Sequence, residues 1–148
     1  MFYFYKDQNG SPSELTKATA FGSITQGDAV RRQLSGDTNA GTDLTAVLTV
    51  DTHDAAVVGV ASHDASSGDD VVIMKATQGV LFGADASTTY DASTMGYGTG
   101  VDYSTDGQSV VGDATTSFDA FIVLGTVDNT DNTDVFGYFV YTEDKQNS

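Results

Sequence analysis

Ala56-Val57-Val58-Gly59-Val60-Ala61, followed by Asp69-Asp70-Val71-Val72-Ile73-Met74-Lys75 and then Gly79-Val80-Leu81-Phe82, is the stretch whose reading decides the fold. Each run is short, rich in β-branched or aromatic residues, and bounded by Gly, Ser, Asp or Asn, the pattern of buried strands separated by turns. No apolar spacing of three and four residues runs through it, so a helix would have no face to bury. Just upstream, Asp43-Leu44-Thr45-Ala46-Val47-Leu48-Thr49-Val50 alternates loosely. Four strands are therefore expected between residues 43 and 82.

Further along, residues 84–99 are small and polar without a clear period and predict a long loop. Val101-Asp102-Tyr103 and Gln108-Ser109-Val110-Val111 flank Ser104-Thr105-Asp106-Gly107, whose Asp-Gly pair signals a hairpin. Residues 118–127 and 135–141 close the chain as a strand pair joined by an Asp- and Asn-rich turn. The expected class is all-β, a small β-barrel or β-sandwich. An internal echo fits it: Val57-Val58-Gly59-Val60 and Asp70-Val71-Val72-Ile73 match Val123-Leu124-Gly125-Thr126 and Asp134-Val135-Phe136-Gly137 in order, with an acidic turn between the members of each pair. A glycine inside a strand suggests a bulge or a close backbone approach.

Residues 1–40 differ from the body at 41–148 and read as an extended N-terminal arm or attachment segment. The competing reading makes Phe2-Tyr3-Phe4-Tyr5 the first strand of a sheet. Ser13 could cap a short helix over residues 13–19, although Thr16 and Thr19 argue against a long one. The aromatics at the start and Phe136, Tyr138, Phe139 and Tyr141 near the end could pair as neighbouring strands. Left unpaired, the first four would form an exposed docking patch.

Charge is partitioned in the same way. The 148 residues carry a formal charge of −15, and 19 of the 21 acidic residues are Asp. Four basic and three acidic residues fall in the first 32 positions; two basic and eighteen acidic residues follow. So acidic a body repels itself in dilute buffer, whereas at molar salt the Debye length shrinks to about 3 Å. The composition suits brine. It also excludes nucleic acid as a partner, because phosphate binding needs a basic stripe and the only adjacent basic pair is Arg31-Arg32. No stretch approaches the roughly 18 apolar residues of a membrane helix, and the start lacks the pattern of a secretory signal.

Tests for chemistry end without a centre. With no cysteine, thiolate catalysis, disulfides and cysteine metal sites are excluded. His53 and His63 sit beside Asp residues, but on Asp-rich turns, without the three or four converging ligands zinc needs or a nucleophile to activate. Asp128, Asp131 and Asp134 follow a period of three, which is not the alternate spacing of a calcium loop. Asp51, Asp54, Asp69 and Asp70 read likewise as solvated turns. Gly96-Tyr97-Gly98-Thr99-Gly100 has the wrong spacing for a phosphate cradle. No catalytic residue, metal or cofactor is expected, and the chain is not expected to be an enzyme.

Residues 55–61 and 69–81, a Gly-Val-Ala strand, an acidic turn, a valine-rich strand and a Gly-Val strand, resemble the capsid cement, or head decoration, proteins of tailed viruses. Gly100-Val101-Asp102-Tyr103-Ser104-Thr105-Asp106-Gly107-Gln108-Ser109-Val110-Val111, with Ala120-Phe121-Ile122-Val123-Leu124-Gly125 and a last aromatic strand, is similar to the second half of that pattern. Together they cover about half the chain; residues 1–40 and 84–99 do not match. The resemblance implies a small β-tulip-like protein on the outside of an icosahedral capsid, bound to the major capsid protein, often as a trimer, with no catalytic residues to transfer. With the acidity, it implies a haloarchaeal or other halophilic host. On that reading the capsid contact falls to Phe2, Tyr3, Phe4, Tyr5, Lys6, Lys17, Arg31 and Arg32, with the acidic body facing solvent. A turret, spike or tail subunit and a halophilic binding or adhesion module are the alternatives.

Overall fold

The computed structural model describes residues 1–34, 45–50, 56–86, 97–104, 106–111, 120–127 and 134–143. Among the described residues ten strands run in order: β1 Phe2–Asp7, β2 Leu15–Thr19, β3 Ala29–Arg32, β4 Val47–Thr49, β5 Val57–Ala61, β6 Asp70–Lys75, β7 Val80–Asp85, β8 Thr99–Val101, β9 Phe121–Thr126 and β10 Asp134–Phe139. They form two antiparallel five-stranded sheets, sheet A ordered β1-β7-β10-β9-β8 and sheet B ordered β2-β6-β5-β3-β4. The sheets are not closed into a barrel. Of the two architectures expected, the fold is the β-sandwich.

The four strands expected between residues 43 and 82 are β4 to β7. β5 and β6 pair directly, Val60 opposite Met74 and Ala61 opposite Ile73. After Lys75 the chain crosses to the other sheet through a turn in which the Val80 amide donates to the Thr77 carbonyl at 3.1 Å. The echoed second pair is also a hairpin, β9 with β10, and a register shift falls between Phe136 and Gly137. Gly107 takes φ +68°, as the Asp-Gly turn requires, and the Ser104 amide donates to the Ser109 carbonyl at 2.8 Å across it. The joining segments 87–96 and 128–133 lie outside the described residues, as does the expected boundary at residues 40 and 41.

Residues 1–34 correct the expectation of an N-terminal arm. β1 is an edge strand of sheet A, paired along its length with β7, and Phe2 is 0% exposed. β2 and β3 belong to sheet B. The physical reason lies in the alternation Phe2-Tyr3-Phe4: two rings on one side can each remove roughly 150–250 Å² from water. Phe2 packs against Phe139 at 5.2 Å, Phe121 at 5.7 Å and Tyr103 at 6.2 Å between ring centroids. The short helix over residues 13–19 is likewise replaced by strand β2, where Thr16 and Thr19 are better accommodated. The two aromatic termini are not neighbouring strands either, because β7 lies between β1 and β10.

The main core lies between the sheets and is built from Phe2, Phe82, Phe121, Phe139, Tyr103 and the valines at 50, 57, 60, 80, 101, 110, 123 and 135, with Ala29, Ala76, Ala84 and Ala120. A second cluster joins Ala20, Ile24, Val30, Val47, Val58, Ala61, Val71 and Ile73. Val57 and Val60 go to the first and Val58 and Ala61 to the second, so sheet B is packed on both faces. Segments 20–28 and 62–69 cover its outer side, with Ile24 and Ala65 exchanging backbone hydrogen bonds of 2.8 and 2.9 Å.

A candidate docking face on sheet A

Sheet A has no such cover among the described residues. On β1, Phe2 and Phe4 turn inward, Tyr3 turns outward, and a register shift between Phe4 and Lys6 brings Tyr5 and Lys6 onto the outer side as well. β10 alternates strictly, with Val135 and Phe139 buried and Phe136 and Tyr138 half-exposed. β9 does the same, leaving Ile122 and Leu124 half-exposed.

Two glycines let the rings lie flat against this face. A Cβ on Gly83 of β7 would fall 2.1 Å from Tyr3 Cζ, and one on Gly125 of β9 would fall 2.7 Å from Phe136 Cε1. Tyr3 and Phe136 both pair with Gly83 in register, and Phe136 also pairs with Gly125. Aromatic rings thus alternate with glycines across four strands. Tyr5 stacks on Phe136, with centroids 4.7 Å apart and planes 16° apart, and Lys6 Nζ stands 6.0 Å from the Tyr5 ring. The expected aromatic contact between the two ends does occur, then, by reaching over β7.

The two ends of the face differ in charge. Asp85 and Asp134 are directly opposed in the β7–β10 ladder, and the N-terminal ammonium of Met1 contacts Asp85. Burial pushes the Asp85 carboxyl up, but hydrogen bonds with the ammonium and with Asp134 outweigh it and hold the group below the usual range. Tyr3 is raised by burial first and then by Asp134 and Asp85. At the opposite end stands Lys6, paired in register with Leu81.

The eight expected contact residues do not form one surface. Tyr3, Tyr5 and Lys6 share the outer side of sheet A. Phe2 is buried in the sandwich and Phe4 is half-buried against the same core, so neither ring lies on the outer side. Lys17, Arg31 and Arg32 belong to sheet B. Lys17 pairs with Asp70 at 3.4 Å, and Arg32 with Glu143 at 2.9 Å. Arg31 is only 7% exposed, and its Nη1 donates to the Arg32 carbonyl at 3.1 Å, which removes it from any contact set. Sequence reading missed Phe136, Tyr138, Ile122 and Leu124 as members of the face. Their alternation with Val135, Phe139, Phe121 and Val123 was the available signal.

Other polar groups have structural duties. Asp28, 4% exposed, accepts from the Thr25 amide at 2.9 Å, from Thr49 Oγ1 at 2.6 Å and from Gln108 Nε2, tying β3, β4 and the 104–109 hairpin together. His63 Nδ1 lies 2.8 Å from the Asp64 carbonyl and Nε2 accepts from the Val72 amide at 3.1 Å, which anchors the ring to β6. Buried Tyr103 donates to the Ala120 carbonyl at 3.3 Å, and burial, with Asp102, pushes its hydroxyl well up. A cleft of about 250 Å³ at one end of the sandwich is lined by Gln8, Thr77, Gln78, Leu81, Tyr138 and Thr142 among others. Among the described residues no three His, Asp or Glu side chains are grouped to hold a metal ion. Gly98 and Gly100 flank the start of β8, Gly98 at φ +86°. Asp69 and Asp70 are exposed, as expected of a turn; His53, Asp51, Asp54, Asp128, Asp131 and Gly96 lie outside the described residues.

No protein-family model matches this chain, and no curated protein matches it.

Proposed function

We propose that this chain is a structural virion protein that binds the outside of an icosahedral capsid and stabilises it, as a cement or decoration subunit working in strong brine. The observation that carries the reading is the outer face of sheet A, uncovered among the described residues, with Tyr5 exposed and Tyr3 and Phe136 half-exposed on an otherwise acidic, strand-built body. A contiguous apolar patch on a soluble surface marks a place where something docks. The resemblance of residues 55–61, 69–81, 100–111 and 120–125 to decoration proteins supplies the kind of partner, a major capsid protein together with sister subunits. At a formal charge of −15, long-range attraction cannot provide the grip in brine, so apolar burial must. The role asks for positioning and adhesion, not turnover.

Electron microscopy of the parent particle tests this reading. Decoration predicts copies over the whole shell with the outer side of sheet A turned toward a protein neighbour. Occupancy at a few vertices or on the tail, or a solvent-facing sheet A, would overturn it.

A further inference from the structure

We infer that the cleft at one end of the sandwich is a binding site for a single neutral pyranose ring. The cleft holds about 250 Å³, just under the roughly 300–1,000 Å³ of drug-sized sites, which suits one ring. It lies where the chain crosses from β6 to β7, beside the ends of β1 and β10. It shares Tyr138 with the outer face of sheet A and does not depend on what covers that face.

The lining divides by depth. Ala76, Val80, Leu81 and Phe139 form a buried apolar floor, with Thr142, 3% exposed, as a hydroxyl among them. Gln8 and Gln78 are exposed at the rim, and Thr77 and Tyr138 are half-exposed. Backbone hydrogen bonds hold these walls in place before anything enters. The Gln8 amide donates to the Gly79 carbonyl at 2.9 Å and the Val80 amide to the Thr77 carbonyl at 3.1 Å. The Ala76 amide donates to the Val58 carbonyl and the Val57 amide to the Tyr141 carbonyl, both at 2.9 Å. A pre-formed site has less freedom to lose on binding.

What the lining lacks narrows the ligand. No Asp, Glu, Lys, Arg or His is among its described residues, in a chain with 21 acidic groups. The adjoining hollow, which shares Thr77 and Val80, does carry Asp7 and Glu14, so neutrality belongs to the cleft itself. An anion would enter without a counter-charge and against a formal charge of −15. A cation would find its carboxylates in the adjoining hollow. A wholly apolar ligand would cover the Gln8 amide and the Thr77 hydroxyl without offering them a partner, which weakens binding. A neutral pyranose meets both halves: its C–H side lies on the floor, and its hydroxyls, each donor and acceptor, reach the amides and hydroxyls of the rim. Being cyclic, it also brings less internal freedom to lose than an open chain. None of these contacts is ionic, so strong brine leaves them intact.

Nuclear magnetic resonance of the isotope-labelled full chain in 3 M KCl, titrated with glucose, galactose, mannose, N-acetylglucosamine and N-acetylgalactosamine, tests this. At least one sugar should give saturable shifts centred on Gln8, Thr77, Gln78 and Gly79. A Kd of about 1–10 mM is expected of roughly a dozen non-hydrogen atoms at ordinary ligand efficiency. The same sugar should bind within about twofold as well in 0.5 M KCl, whereas glucuronate and cyclohexanol should bind at least about tenfold more weakly. Gln8→Ala and Gln78→Ala, both at exposed positions, should each weaken binding by about three- to tenfold without lowering the melting temperature. Methyl glycosides of the sugar that binds tell its source: binding of either anomer identifies the end of a glycan, and loss with both identifies the free sugar. No saturable shift with any of the five sugars, or shifts centred elsewhere, would overturn the inference. So would cyclohexanol or glucuronate binding as tightly as the sugar, a tenfold salt dependence, or a Kd indifferent to both substitutions.

Discussion

Replacing Phe2 by Ala asks whether the first strand is structural. Phe2 is fully buried and its ring contacts Phe139, Phe121 and Tyr103 at 5.2–6.2 Å, so truncation opens a ring-sized cavity at the centre of the main core. Substitutions of this kind cost about 3–5 kcal/mol, the spread reflecting how far the site can collapse. Here collapse is restrained: β1 is pinned to β7 along its length, and the Phe2 amide also donates to the Gly27 carbonyl at 3.0 Å. The upper half of the range is therefore expected. Against a total stability of about 5–15 kcal/mol, that is a large fraction. For a domain of this size it corresponds to a melting temperature lower by roughly 8–20 °C. Urea unfolding of both proteins in the same molar-salt buffer, followed by circular dichroism, measures it through the midpoint at unchanged slope. A loss under 1 kcal/mol would refute the argument, since a dangling arm predicts a value near zero.

Other perturbations follow from the same packing. Asp28→Ala should destabilise the protein by about 2–3 kcal/mol, because three donors lose a buried acceptor, and faster hydrogen exchange at Thr25 and around Gln108 should accompany it. Asp85 and Asp106 are both held below their ordinary values, Asp106 by hydrogen bonds from Ser104 and the Gln108 amide, and each therefore adds stability that is full above the unfolded-state pKa of about 3.9. That contribution is lost as pH falls through the lower folded-state values, so Asp106→Asn should flatten the acid limb of a stability–pH curve, and an unchanged limb would contradict the assignment. Dialysis from molar salt into dilute buffer should lower the melting temperature, because the −15 charge is then unscreened; equal values in the two buffers would count against a brine-adapted surface.

What was legible in the chain was local. Val57–Ala61, Asp70–Lys75 and Val80–Asp85 are strands because β-branched runs between Gly, Ser and Asp turns have no better way to bury themselves, and the Asp106-Gly107 turn follows from the φ its glycine accepts. The all-β class follows from these runs, with no helix-period pattern to compete. Charge, too, was readable from composition alone, since it needs no partner to be counted.

Only the tertiary structure decided which side each residue serves. Phe2 and Tyr3 are adjacent and equally aromatic, yet one fills the core and the other lies over Gly83 on the outside, because the pairing register with β7 assigns alternate residues to opposite faces. Placing β7 between β1 and β10 turned the expected pairing of the aromatic ends into a contact across a glycine. Sheet membership also divided Tyr5 and Lys6 from Lys17 and Arg32, which charge counting along the chain had grouped together. Strand order and register are set by contacts between residues some 80 or more positions apart, such as Phe2 with Ala84 and Phe139, and no local pattern carries that information.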